Sequence, residues 1–177
     1  YQISNADELY GFAKIINGTF TGEEKDSTAC GVLTQDIKLY PNVLNSDGSL
    51  SDKVSDYIIW EPIRNFSGIL DGQGHTISGV YLRNSYVIGG GFFTNIIGNS
   101  NDDGVAIKNL GITNSFFSDG GNAAAFAGRV DGIVSIENCF STSTIKGNGG
   151  TAGLVGLVYT QSELTIKNSF NAGVING

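Results

Sequence analysis

The chain repeats itself. The phrase Ile166-Lys167-Asn168-Ser169-Phe170 has a near copy in Ile136-Glu137-Asn138-Cys139-Phe140 and another in Ile107-Lys108-Asn109-Leu110-Gly111-Ile112. Ile77-Ser78-Gly79-Val80-Tyr81-Leu82 reads as a fourth, altered copy. The isoleucines lie 30, 29 and 30 residues apart (77 to 107, 107 to 136, 136 to 166). A fixed period of this size marks an architecture in which each repeat buries its apolar face only by stacking on the next.

Within the phrase, Ile alternates with Lys, Glu or Ser, the two-residue period of a half-buried strand. The third position is Asn in three copies and Gly79 in the earliest. Asn and Gly best tolerate a left-handed backbone, so this exchange predicts a sharp bend at the strand end. Stacked Asn side chains can hydrogen-bond one another, and Asn109, Asn138 and Asn168 are expected to form a structural ladder rather than a ligand row. A second phrase precedes each of these: Gly91-Phe92-Phe93-Thr94-Asn95-Ile96, Ala125-Phe126-Ala127-Gly128-Arg129-Val130 and Gly153-Leu154-Val155-Gly156-Leu157-Val158. Its small residues allow close backbone approach. A third short strand follows at Ser115-Phe116-Phe117, Ser143-Thr144-Ile145 and Gly173-Val174-Ile175. Three short strands per repeat, separated by Gly, Asn, Ser and Asp turns, predict an all-β, right-handed parallel β-helix.

Gly153-Leu154-Val155-Gly156 resembles the GLUG motif of bacterial surface proteins. The second copy closes on Thr94 instead of Gly, and the third has Phe126-Ala127-Gly128. Trp60-Glu61-Pro62-Ile63, followed by Phe66-Ser67-Gly68-Ile69-Leu70-Asp71-Gly72-Gln73-Gly74-His75-Thr76-Ile77, looks like the lead-in that commonly precedes such repeats. The resemblance covers most of the chain. It implies a solenoid carried on large adhesin-like proteins, and also found in non-catalytic regions of some immunoglobulin A peptidases. It implies an exported protein at the bacterial cell surface.

The 177 residues suit one structural domain, with residues 1–67 as an N-terminal cap and 68–177 as the repeats. Leu9, Phe12, Ala13 and Ile16 form an apolar stripe at helical spacing, so residues 3–18 are expected to be a capping helix begun by Asn5 with Glu8 and ended by Gly18. Val32 to Tyr40 reads as a first strand. Residues 41–56 read as a long polar loop leaving the stack, and Ile58-Ile59-Trp60 as the return to the core. The chain lacks Met, starts at Tyr1 and stops inside a repeat, so the native protein is expected to extend beyond it. Net charge is −7 and no Lys/Arg run exists, which argues against nucleic acid and anionic membranes as partners. No segment suits membrane insertion.

No catalytic, metal or cofactor constellation stands out. Asp71 near the only histidine, His75, could be half of an acid–base site, but a turn residue followed by an outward-pointing His accounts for the pair. The loop Asn99-Ser100-Asn101-Asp102-Asp103-Gly104 resembles the start of a calcium loop, yet Leu110 stands where the closing Glu belongs; Asn45-Ser46-Asp47-Gly48 is a weaker case. Cys30 and Cys139 form neither a zinc pattern nor an expected disulfide, and Cys139 is expected to face inward. Asn17-Gly18-Thr19 and Asn65-Phe66-Ser67 are formal sequons without weight in a bacterial protein. Ser141-Thr142-Ser143-Thr144 lacks the regular ranks that an ice-binding face needs.

The expected function is a non-catalytic adhesive or spacer module, not an enzyme, with no cofactor. Its partners would be a host or neighbouring-cell protein or glycan, and the adjoining domains of a larger chain. A carbohydrate-active β-helix would need convergence of scattered acids such as Asp71, Asp119, Asp131 and Glu137. A glycan-binding domain would need Tyr81, Tyr86, Phe117 and Tyr159 to line a groove.

Overall fold

The computed structural model of the chain describes residues 1–83, 90–98 and 104–177. Its architecture is mostly β, and the sheets are parallel throughout. The chain visits four sheets in the same order, pass after pass. Ile69–Asp71, Val105–Lys108, Ile133–Glu137 and Glu163–Lys167 lie side by side in the first sheet, beyond Gln2–Ile3 and Gly31–Leu33. Ile37–Lys38, Thr76–Ser78, Gly111–Thr113, Phe140–Ser141 and Phe170–Asn171 make the second. Tyr81–Arg83, Phe116–Asp119, Thr144–Gly147 and Ile175–Asn176 make the third. Phe93–Ile97 and Ala127–Asp131 pair in the fourth, continued by bridges from Ile63 and Phe66 on one side and Val155 and Val158 on the other. Such in-register parallel stacking is compatible with a parallel β-helix.

The repeat phrases align as their residues suggest. Ile136 lies opposite Ile107 and Ile166, and Phe140 opposite Gly111 and Phe170. Phe117 lies opposite Ile145, and Arg129 opposite Asn95. The inward column of the first sheet is apolar and closed to solvent at Leu70, Ile107 and Ile136, all 0% exposed, and opens at its last member, Ile166, which is 44% exposed. Burying one such side chain is worth about 1.5–3 kcal/mol, so the repeated column is the main source of stability.

The earliest copy of the Ile-x-Asn phrase is a different segment from the one its spacing suggests. Leu70, not Ile77, stands opposite Ile107; Ile77 pairs with Ile112 in the second sheet. The corner after Asp71 carries two more residues than the corner after Lys108, which displaces the pattern. Among the described residues, the passes that begin at Ile69 and at Val105 each carry four strands rather than three. The additional one, in the second sheet, is only two or three residues long in each pass, too short for alternation to show.

The helix spans Ala6–Asn17, shorter than the expected 3–18, because Gln2–Ile3 pairs with Val32 and Leu33 as a strand. Asn5 caps it by accepting the Glu8 N–H, and Gly18 ends it in the left-handed region (φ 72°). Glu8 answers through Ser4, taking both its N–H (2.6 Å) and its hydroxyl (2.8 Å). Leu9, Phe12, Ala13 and Ile16 are buried against the stack. Aromatic contacts lead inward from the helix, Tyr10 to Trp60 (5.5 Å) and Phe12 to Phe66 (6.4 Å), and continue as stacked pairs Trp60–Phe92 and Phe66–Phe93, both at 4.8 Å.

Three expectations for the N-terminal region change. Val32 to Tyr40 is two short strands in different sheets, Gly31–Leu33 and Ile37–Lys38. Residues 41–56 do not leave the stack. Val43 is fully buried against Tyr81 and Phe116, so the segment lies on the outer side of the third sheet. Asn114 accepts the Leu44 N–H (3.2 Å), Thr144 donates to the Gly48 carbonyl (2.6 Å), and Asp52–Asp56 forms a short 3-10 turn. Of Ile58-Ile59-Trp60 only Trp60 enters the core, its indole N–H donating to the Phe92 carbonyl (3.1 Å). Ile58 and Ile59 are exposed.

Candidate functional site

The polar side chains sort into a corner that holds the stack together and faces that are open to solvent. The corner is the Asn ladder. Asn168 donates to Asn138 (3.2 Å), Asn138 to Asn109 (3.0 Å), and Asn109 to the Asp71 carboxylate (3.0 Å). All three Asn are left-handed, with φ of 52°, 53° and 49° in chain order. The ladder therefore ends on Asp71 rather than on Gly79. Gly79 (φ 77°) belongs to the next corner, in line with Asn114 (φ 45°), and there the Gly-for-Asn exchange does occur. A second, unforeseen amide pair joins Asn65 and Asn95: Asn95 donates to the Asn65 side chain (2.5 Å) and accepts the Asn65 N–H (3.0 Å). Only alignment of the lead-in segment with the later phrases could have revealed it.

Asp71 and His75 have different partners. Asp71 also accepts the Gln73 N–H (2.9 Å) and side-chain amide (2.7 Å) and lies 3.5 Å from Lys108 Nζ. Partial burial opposes its charge, but the bonds from Asn109 and Gln73, with Lys108 nearby, outweigh that and hold its carboxyl below the usual range. His75 faces Asp36 (3.6 Å). The Thr76 N–H bonded to Asp36 keeps that carboxyl low as well, helped by the Thr76 hydroxyl and His75.

The remaining candidate acids do not converge. Glu137 shares the outward row of Asp71, but Lys108 stands between them and Lys167 faces Glu137 at 3.7 Å, so the row alternates in sign. Asp131 ends a strand of the fourth sheet. Asp119 ends a strand of the third and is almost fully buried. Burial pushes its carboxyl up, and although Oδ1 accepts the Gly121 N–H (2.7 Å), Oδ2 has no partner among the described residues. Among the described residues no three His, Cys, Asp or Glu side chains gather as a metal-binding group. The calcium-like loop at 99–104 lies outside the described residues except for Gly104, and Tyr86 lies outside them too. Cys139 is buried with its thiol pushed up to about 11 by burial, and Cys30 is exposed.

The aromatics do not line a groove together. Phe117 is core, and Tyr81 is covered by Val43 and its neighbours. Tyr159 lies under Arg129, whose guanidinium is 4.7 Å from the ring centroid and donates to the phenol oxygen (3.1 Å).

A concave site does form elsewhere. Residues 47–50 stand along one side of the third sheet and enclose a groove of about 520 Å³. Arg83, Ser118, Lys146 and Asn176 form one outward row across its floor, each opposite the next. Phe116, Thr144 and Val174 also line it. Asp47 is held in its loop by accepting the Ser49 hydroxyl (2.6 Å) and N–H (2.9 Å), which keep its carboxyl low. Four unlike residues spaced 35, 28 and 30 apart (83 to 118, 118 to 146, 146 to 176) make no motif, so the row was invisible until the third strands were aligned.

Among the described residues, no helix is long and apolar enough to cross a membrane. No protein-family model matches the chain. Over 129 residues it is 29% identical to halomucin of Haloquadratum walsbyi, a match covering 69% of this chain and 1% of that protein. Its fold is similar to the crystal structure of a putative immunoglobulin A1 protease from Bacteroides ovatus, with a TM-score of 0.61 at 15% identity, covering 99% of this chain and 57% of that one.

Proposed function

We propose that the chain is a right-handed parallel β-helix of GLUG type, serving as a non-catalytic adhesive or spacer module of a protein at the bacterial cell surface. Residues 1–67 act as its cap, residues 68–177 as its repeats, and it joins other domains of a longer chain. The observation that carries the reading is the in-register row structure, which spends the acids on holding the stack. Asp71 and Glu137 alternate with Lys108 and Lys167, and Asp71 is kept ionised. A glycosidase needs one carboxyl held protonated beside a second that is free to act, roughly 5–9.5 Å away. Asp119 has the raised carboxyl but sits buried in another sheet. The fold shared with the Bacteroides ovatus protein and the partial match to halomucin support a surface context.

The test is incubation of the purified chain with a panel of polysaccharides and with immunoglobulin A, scored for new reducing ends and for cleaved heavy chain. No product should form, while immobilised glycans or host proteins should retain the chain. Turnover of any substrate overturns the reading.

A further inference from the structure

We propose that the groove between residues 47–50 and the third sheet binds an acidic polysaccharide in which charged sugars alternate with neutral ones. This rests on the reading of the chain as a non-catalytic surface module and adds the class of its ligand.

The floor sets the spacing. Arg83, Ser118, Lys146 and Asn176 are in register on adjacent parallel strands. Such strands lie about 4.8 Å apart, so Arg83 and Lys146 are about 9.6 Å apart at the backbone, with the Ser118 hydroxyl between them. A cation on every second strand matches an extended polymer with an acid on every second unit. Asn176 supplies a neutral donor and acceptor at the next step.

The charges are available. Among the described residues, neither Arg83 nor Lys146 has an acidic partner, whereas Lys108 and Lys167 on the first sheet each face a carboxylate. Asp47 is the acid of the groove, and its oxygen is engaged by Ser49. The site thus carries one net positive charge on a chain of net charge −7.

The second row suits sugars. Val174, 41% exposed, offers apolar surface for C–H faces, with only the edge left open by the buried Phe116 beside it, and the Thr144 hydroxyl between them is committed to the Gly48 carbonyl. A nucleic acid or heavily sulfated chain fits poorly, because two cations cannot offset the repulsion of the acidic chain as a whole. An extended peptide fits poorly too. The inner floor strands, Phe116–Asp119 and Thr144–Gly147, already pair on both sides, so they have no free backbone edge for strand addition.

The experiment uses fluorescent hyaluronan oligosaccharides, which carry one carboxylate per disaccharide, followed by polarisation against the full chain. The comparators are the carboxyl-reduced form of the same oligosaccharides and heparin. Binding is expected for hyaluronan and not for the reduced form. Arg83→Gln and Lys146→Gln should each weaken it about tenfold, as expected for loss of one charge-assisted hydrogen bond. Lys38→Gln, an exposed cation on the second sheet, should leave it unchanged. Circular dichroism checks that the variants keep the fold. Failure of hyaluronan to bind, equal binding of the reduced form, indifference to both groove substitutions, or tighter binding of heparin would each overturn the proposal. The non-catalytic reading survives all four and fails only on turnover.

Discussion

The Asn ladder makes two contributions that can be separated at Asn138. Its side chain donates to Asn109 and accepts from Asn168, and its backbone sits at φ 53°. Asn138→Gly removes both side-chain bonds and leaves the left-handed conformation free of strain. At a partly exposed site the two bonds are worth together about 1–2 kcal/mol. Asn138→Ala removes the same bonds and also puts in the left-handed region a residue without the short polar side chain that lets Asn tolerate it, which adds about 1 kcal/mol. The expected losses are therefore about 1–2 kcal/mol for Gly and about 2–3 kcal/mol for Ala, even though Gly has the more flexible unfolded chain. Urea unfolding followed by circular dichroism, with the slope checked for constancy, reads both. Ala equal to or milder than Gly would refute the backbone half of the reasoning. Losses under about 0.5 kcal/mol for both, against about 1–2 kcal/mol expected of the two bonds together, would refute the ladder half.

Four further outcomes are expected. Gly79→Ala places a methyl group against the Tyr40 carbonyl oxygen at a φ of 77°, and should cost about 2–3 kcal/mol in the same urea assay. Glu137→Lys puts a third cation between Lys108 and Lys167 on the outward row of the first sheet; a loss of roughly 1 kcal/mol at low salt should shrink in high salt. The pH dependence should divide by residue. Asp36 and Asp71 have lowered carboxyls, so what they contribute is present above the unfolded value near about 4 and disappears as pH falls through their folded values. Asp119 has a raised one, so its contribution is full below that unfolded value and is lost as pH rises through its folded value; Asp119→Asn should remove the gain in urea midpoint that this group gives as pH falls toward the unfolded value. Finally, iodoacetamide should label Cys30 in the native chain and Cys139 only in denaturant, read by mass spectrometry of the digested protein, because Cys139 is buried with a thiol raised to about 11.

Where successive copies of a phrase are themselves ungapped, the register could be read directly from residues, whatever the length of the chain between them. The Ile107, Ile136 and Ile166 phrases, and the Phe93, Ala127 and Val155 phrases, align as written because a buried column tolerates only a few apolar side chains. Reading failed where a corner changed length. Gln73 and Gly74 lengthen the corner after Asp71, and by coincidence this leaves Ile77 a full period before Ile107. It failed again at residues 41–56, whose polar composition hides one buried apolar residue, Val43, that sets where the segment lies. Outward residues were the hardest. Nothing apolar constrains them, so Arg83, Ser118, Lys146 and Asn176 share a row without sharing a type.

That freedom leaves most outward residues outside what determines the fold. The inward columns and the left-handed corners fix the backbone, and apart from Asp71, which ends the Asn ladder, they make no use of the outward strand residues named above. The strand spacing of about 4.8 Å is set by backbone hydrogen bonds, so outward groups can be exchanged without altering their pitch. A row of this kind reads periodic ligands, and its selectivity lies in which strands carry charge. In the first sheet the row alternates acid and base and satisfies itself; in the third, cations alternate with neutral groups and, among the described residues, form no ion pair. Exchanging Ser118 for an acid would convert the second kind of row into the first. On this argument Ser118→Asp should abolish hyaluronan binding while leaving the urea midpoint unchanged or slightly raised. A fall in stability without a loss of binding would show that the two rows do not differ as their charge patterns indicate.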